Sequence, residues 1–208
     1  AQAVNLQQAA IDFLGPFVDV LEMDAAEFWR FEAVGAEGGE DGASRGRLVR
    51  QNYVVRDSLD GRDDWIAATK EVQIERGVGL LGRAWESGQA RWAEDLSNVY
   101  GFDRTATARS ISFRVGCAFP VLDNQQVVGV IAFFSRNAYT DPPALLDSLL
   151  ALGRTIGQTC KRLETERALR LRERAVDATY DGIVIADARV ADLPLVYVNS
   201  GFEIITGY

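Results

Sequence analysis

Two apolar segments in the middle of the chain, SFRVGCAFPVL and QQVVGVIAFFS, follow each other with only a short polar break between them. The break contains Asp123 and Asn124, a dipeptide typical of tight hairpin turns. Apolar side chains recur with period two in the first segment, at Phe113, Val115, Cys117 and Phe119, which puts them on one strand face. The pattern predicts a hairpin and hence an antiparallel sheet.

The remaining segments predict helices that pack on that sheet. Residues 3–22 have a helical apolar spacing, and four further strands are predicted at AAEFWRFEA, RLVRQNYVV, AATKEVQI and ARWAED. GAEGGEDGASRG is predicted to be a loop, and a short helix around Leu80 is expected to end at Gly88 in the left-handed conformation. This order predicts an α+β fold in which a six-stranded antiparallel sheet is flanked by helices.

A long helix is predicted to begin at about residue 143. Its large apolar residues are spaced alternately by four and three positions, with Thr159 in the one position that is not apolar, which is the pattern of a coiled-coil seam. We therefore expect a homodimer through this helix, and the spacing leaves a parallel or an antiparallel pairing open. The predicted dimer interface consists of Leu145, Leu149, Leu152, Ile156 and Leu163.

Composition excludes several classes of function. The chain of 208 residues has a net charge of −8, which argues against extensive contact with nucleic acid. It has no histidine, so haem, histidine-ligated metals and a histidine phosphoacceptor are not expected within it. No apolar run approaches the ~18 residues of a membrane span. Two isolated cysteines, Cys117 and Cys160, favour a cytoplasmic location, although one pair is enough for a disulfide.

Two stretches resemble GAF domains, in the order expected for that family. GVGLLGRAWESGQARWAEDLS is similar to the middle GAF motif, G-x-x-G-x-A-x-x-x-G before a strand that ends in Asp. RVGCAFPVLDNQQVVGVIAFFS is similar to the closing GAF hairpin. The resemblance covers about residues 1–160 and implies a sensory α+β domain, with no particular ligand, since GAF domains bind many compounds or none.

The end of the chain resembles the start of a PAS domain. RAVDATYDGIVIADARVADLPLVYVNSGFEIITGY is similar to the opening helix, the D-G-I-x-x-x-D segment and the V-N-x-x-F-x-x-x-T-G-Y segment of that family. The similarity covers about 32 residues, which is less than a PAS fold needs, so the chain is expected to stop inside one, as a fragment would. Flavin binding in such a domain depends on a motif beyond Tyr208.

Together these resemblances imply a bacterial sensor of the histidine kinase or diguanylate cyclase type. We expect a GAF-like domain at 1–158, a coiled-coil signalling linker at 159–176 and the first part of PAS at 177–208. The expected function is sensory and non-catalytic, relaying the binding of a ligand or partner through the helix to PAS and a downstream output module. The alternatives are a ligand-free scaffold for dimerisation and a GAF-type thiol reductase.

Five residues are candidates for lining a ligand pocket over the sheet. They are Trp92, Phe102, Arg109, Phe113 and Cys117. Aromatic side chains in such positions more often belong to the core, and Arg109 is more often a surface residue. A buried core thiol is the favoured interpretation of Cys117, because bilin-binding GAF domains pair their cysteine with a histidine. The cofactor stays unknown, with bilin and haem unlikely for lack of histidine.

Overall fold

Five antiparallel strands form the centre of the first of two compact units. The computed structural model describes residues 14–33, 46–70, 72–138 and 142–207, and it divides into Ala1–Cys160 and Lys161–Tyr208. Within the described residues the strand order is β2-β1-β5-β4-β3. The strands are β1 (Ala25–Ala33), β2 (Gly46–Val55), β3 (Arg91–Ala93), β4 (Val115–Asp123) and β5 (Gln126–Ser135).

The predicted hairpin is confirmed as the β4–β5 pair. Its register runs from Val115 opposite Ser135 to Asp123 opposite Gln126. Asn124 has a φ of 55°, the left-handed geometry that a tight hairpin turn requires. β5 also pairs with β1, so the hairpin lies at the centre of the sheet.

Helices cover both faces of this sheet. On one face lie α2 (Arg62–Lys70), α3 (Gly79–Ser87), a 3₁₀ turn (Leu96–Asn98) and α4 (Thr105–Ser110). On the other lie α1, at residues 14–20, and the first part of α5 (Pro142–Asp177). Gly88 ends α3 with a φ of 62°, as predicted. The predicted loop at 35–46 lies outside the described residues, except for Gly46, which begins β2. Residues 3–13 of the predicted 3–22 helix also lie outside them.

The prediction of six strands is wrong, because the first half of AATKEVQI is the end of α2. Trp65 and Thr69 are one helical turn apart and both are buried, so α2 has a core-facing side. Acidic residues in its first turn and Lys70 in its last turn match the helix dipole. Of the predicted strand, only Ile74 makes a sheet-like contact, an isolated bridge to Leu48.

α5 packs closely on the sheet through two glycines. A Cβ atom on Gly153 would lie under 3.0 Å from the carbonyl oxygen of Pro120, and one on Gly157 would meet that of Leu122 in the same way. Leu149, one turn earlier, is 3% exposed in the core between α5 and the sheet. This face of the helix is therefore occupied within the chain, and Leu149 is a core residue.

The second unit is small and is organised by one asparagine. It holds the end of α5, the hairpin β6 (Val184–Ala186) and β7 (Leu195–Val198), and α6 (Ser200–Thr206). The Oδ1 atom of Asn199 accepts from the backbone N–H groups of Ile183 (2.7 Å) and Phe202 (3.0 Å). Its Nδ2 donates to the carbonyl oxygens of Val176 and Asp181, both at 3.0 Å. Asn199 thus ties the end of α5 to β6 and α6.

The close approach of α5 to β4 predicts a sharp penalty for one added methyl group. Gly157→Ala should lower the free energy of unfolding by about 1–3 kcal/mol, because the methyl group would meet backbone rather than a movable side chain. Gly15→Ala is the matched control, since nothing lies within 4 Å of the added atom there. Urea denaturation of both variants tests this, and equal stabilities would contradict the described packing.

Candidate ligand-binding site

A buried carboxylate, Glu27, lies on the face of β1 that is covered by α2, α3 and α4. Period-two alternation puts it on the same side as Trp29, and it is 0% exposed. Its partner is Arg104, which immediately precedes α4, is 3% exposed and forms an ion pair with Oε1 through Nη1. The Nε1–H of Trp29 donates to Oε2 over 3.0 Å. Both carboxylate oxygens are thereby hydrogen-bonded, as a buried charge requires.

Thr69 on α2 completes the network. Arg104 Nη1 lies 2.8 Å from the threonine Oγ1. The same hydroxyl lies 2.7 Å from the carbonyl oxygen of Trp65 and 3.4 Å from Glu27 Oε1. A hydroxyl has one proton, and the shorter distance assigns it to Trp65, so Thr69 accepts from Arg104 and donates within its own helix. α2 is in this way linked to the ion pair.

The guanidinium group of Arg104 is also surrounded by aromatic rings. Its Cζ lies 4.2 Å from the ring centroid of Trp65, 5.0 Å from that of Phe134 and 5.4 Å from that of Phe102. Cation–π attraction stabilises a desolvated guanidinium in this setting. Its Nη2 atom, however, is buried without a hydrogen-bond partner, and such a group typically costs about 1–3 kcal/mol.

A cleft of about 870 Å³ lies next to this network, between β1, β2, α2 and α3. Trp29 and Thr69, which both bond to the buried pair, are among its lining residues, and Leu48, Val72, Ile74 and Trp85 give it apolar walls. A smaller cavity of about 140 Å³ is lined by Arg104 and Phe102. The two share residues 72–75 as a common wall.

The cleft is basic although the chain is acidic. The described residues that line it include four basic ones and one acidic one, Glu75. The basic residues are Arg47, Arg50, Lys70 and Arg76. Arg50 is half-buried, its Nη1 has no hydrogen-bond partner, and its Cζ lies 4.6 Å from the ring centroid of Tyr53. Burial lowers the pKa of Arg50; Glu27 opposes this shift and Arg104 adds to it. Arg50 is therefore within electrostatic reach of the buried pair.

The five predicted pocket residues do not form one site. Phe102 lines the small cavity, and Phe113 is core, with its ring centroid 4.8 Å from that of Trp65. Trp92 lines a separate cleft near β3, Arg109 is exposed on α4, and Cys117 lies in the core on the opposite face of the sheet. Phe113 and Cys117 differ in face because β4 begins only at Val115, so the period-two alternation does not extend back to residue 113.

The structure adds four residues that the sequence patterns did not single out: Glu27, Arg50, Thr69 and Arg104. A signal was present for the first, because Glu27 shares its strand parity with Trp29 and Phe31. A carboxylate on an aromatic strand face indicates a buried partner. Nothing in the sequence marks Arg104 as that partner, since it lies 77 residues further along.

Cys117 is not placed for nucleophilic chemistry. It is 0% exposed, and burial raises its pKa to about 12. Reactive cysteines need the opposite, an accessible thiol with a lowered pKa. Among the described residues, no group of three or more cysteine, aspartate or glutamate side chains is arranged to hold a metal ion. None of the described helices combines the length and the apolar character needed to cross a bilayer.

Comparison with solved structures identifies the fold as that of GAF domains. A domain of a two-component sensor histidine kinase from Sinorhizobium meliloti matches with a TM-score of 0.57 at 12% identity, covering 82% of this chain and 99% of that one. The GAF domain region of a Geobacter sulfurreducens membrane protein matches with a TM-score of 0.57 at 17% identity, covering 75% and 93%.

The same fold also occurs in an enzyme. Free methionine-R-sulfoxide reductase from Neisseria meningitidis matches with a TM-score of 0.54 at 15% identity, covering 81% of this chain and 83% of the enzyme. No family model matches the chain, and no curated protein does so either. At these identities the similarity establishes the fold alone.

The buried pair predicts a strong non-additivity between two substitutions. Glu27→Leu or Arg104→Met alone should lower the free energy of unfolding by about 3–5 kcal/mol, because each leaves one buried charge without its partner. The double variant should lose clearly less than the sum of the two, since no charge is then left unpaired.

Chemical denaturation of the four proteins in this cycle measures the coupling. Arg162→Met is the control, because the Arg162–Glu166 pair is exposed and should contribute no more than about 1 kcal/mol. Additive losses at Glu27 and Arg104 would show that the two charges are not coupled.

Proposed function

We propose that this chain is the sensory and dimerisation segment of a bacterial signal-transduction protein. A small molecule binds in the cleft beside the buried ion pair, and α5 relays the change to a PAS-like unit and an output module downstream. The segment has no catalytic activity of its own. The observation that carries the proposal is the cleft whose lining residues Trp29 and Thr69 are hydrogen-bonded to the Glu27–Arg104 network.

The cleft is suited to sensing because its occupant would contact groups that hold the fold together. A ligand that displaces Trp29 or Thr69 changes the hydrogen bonds of a buried charge, and such bonds are worth more than exposed ones. A ligand that binds one arrangement of this network more tightly than another shifts the population of protein molecules toward the arrangement that it prefers. The GAF fold supports this function, because domains with this fold occur in sensor proteins.

α5 is the proposed path of the signal. Its first half contacts β4 through Gly153 and Gly157, and the carbonyl oxygen of Val176 near its end accepts a hydrogen bond from Asn199. Residues 177–208 are proposed to be the first part of a PAS domain, with Asn199 as the contact that links the helix to β6 and α6. The histidine kinase or diguanylate cyclase output stays a prediction, as does the cytoplasmic location.

The proposed dimer seam uses a flank of α5 beside the face that packs on the sheet. Leu145, Leu152, Ile156 and Leu163 are half-buried, whereas Leu149 is 3% exposed. Leu152 and Ile156 each precede a sheet-facing glycine by one residue, which places them about 100° around the helix. Leu145, Leu152 and Ile156 also pack against the edge of the core to which Leu149 belongs. The proposed seam uses their remaining exposed surface together with Leu163.

The burial of Cys117 argues against the thiol reductase alternative. A thiol that is 0% exposed, with a pKa of about 12, offers no thiolate to a substrate. The ligand-free scaffold alternative differs from the proposed function in one measurable respect, which is whether the cleft holds a compound.

Native mass spectrometry tests the sensing proposal. We expect the purified protein to carry an additional mass that is lost on denaturation, and Ile74→Trp, which places a larger side chain in the wall of the cleft, to lose most of it. A ligand at about 100 times its Kd contributes about 2.7 kcal/mol, so stripping it should lower Tm by about 5 to 10 °C in a protein of this size. An apo mass with an unchanged Tm would favour the scaffold.

Analytical ultracentrifugation tests the dimer. Leu163→Asp should yield monomers, because it places a charge in the proposed seam. Leu171→Asp is the matched control, since Leu171 is on the same helix, is 69% exposed and lies off the seam. A dimer that survives Leu163→Asp, or one that both variants lose equally, would contradict the seam.

A further inference from the structure

We propose that the ligand of this cleft is a small organic anion, a carboxylate or a phosphate monoester, which carries an apolar body. The inference rests on the proposed sensing function and narrows it to a chemical class. The anionic group is bound by Arg50, and the apolar body lies against the half-buried side chains of Val72 and Ile74.

The charge of the lining residues gives the first argument. Four of the described lining residues are basic and one is acidic, in a chain whose net charge is −8. A concentration of positive charge in a concave, partly desolvated site attracts an anion and repels a cation.

The Nη1 atom of Arg50, a buried hydrogen-bond donor without a partner, gives the second argument. Burial lowers the pKa of Arg50, and the positive charge of Arg104 adds to this shift. Glu27 accepts hydrogen bonds from Arg104 and Trp29, and Arg50 Nη1 makes none to it. A carboxylate or phosphate oxygen supplies the missing acceptor, and the guanidinium fork matches both groups. Arg104 Nη2, in the adjoining cavity, is a second unpartnered donor in the same region.

The walls of the cleft give the third argument. Val72 and Ile74 are aliphatic and half-buried, so they present apolar surface to the cleft. The buried side chains of Trp29, Leu48 and Trp85 close the cleft on the side of the core. A volume of about 870 Å³ is larger than an inorganic ion needs and falls within the range of sites for drug-sized molecules. An inorganic anion would satisfy Arg50 and leave this apolar surface wet, whereas an aryl or alkyl acid uses both.

Ligand-observed NMR on the full chain tests the class with four probes of similar shape. They are phenylacetate, phenyl phosphate, 2-phenylethanol and phenethylammonium. We expect one or both anionic probes to bind, and the neutral alcohol and the cation to bind at least about tenfold more weakly, which is the effect of one charge-assisted hydrogen bond. The carboxylate and phosphate arms then decide between the two anions.

Variants of Arg50 locate the binding. Arg50→Leu should weaken the anionic probes at least about tenfold, and Arg50→Lys should restore part of the affinity, because it keeps the charge without the fork. Arg109→Leu is the control, since Arg109 is exposed and lies outside the described lining residues. Circular dichroism checks that each variant is folded. If Arg50→Leu is not, Arg50→Lys and the loss of affinity with added salt carry the test.

The outcomes separate this inference from the function on which it rests. Anions that bind no more tightly than the alcohol, or that bind equally to Arg50→Leu, overturn the inference. If the alcohol binds in the cleft as tightly as the anions, the sensing function stands while the anionic class fails. If none of the four probes binds the wild-type protein, the inference also fails, and native mass spectrometry decides the sensing function separately.

Discussion

The buried ion pair between Glu27 and Arg104 determines how one face of the sheet is built. A carboxylate inside a core is stable only with a partner and satisfied lone pairs. Arg104 provides the opposite charge, and Trp29 donates a hydrogen bond to the second carboxylate oxygen of Glu27. Thr69 on α2 accepts a hydrogen bond from Arg104. β1, α2 and the residue that precedes α4 are thus held together around one buried ion pair.

The opposite face follows different rules. Its core contains Met23, Cys117, Phe119 and Phe133, and the helix above it approaches β4 through glycines. Such packing is selective for shape and insensitive to charge. Because Phe28 and Trp29 are neighbours on β1 and point to opposite faces, one strand connects the two environments. This difference between the two faces of the sheet is the physical basis for the proposal that a ligand binds on one face while α5 relays the signal from the other.

Local patterns in the sequence were sufficient for most elements of the fold. The hairpin turn, the period-two strands and the glycine that ends α3 each depend on residues close together in the chain. The end of α2 lies in a segment predicted to be a strand. Its two buried residues, Trp65 and Thr69, are too few to show a helical period in the sequence. The ion pair escaped prediction because its members are 77 residues apart. Leu149 fits a coiled-coil spacing and a core spacing equally, and only the position of the sheet decides between them.

The two faces of α5 limit how a signal can travel along it. Gly153 and Gly157 approach backbone carbonyl groups, so the helix cannot rotate against β4 without a steric clash. The proposed seam lies about 100° away on the same helix turns, so any rotation at the seam must carry the sheet with it. If the relay is a rotation between two packings of the seam, the first half of α5 therefore moves with the sheet as one body.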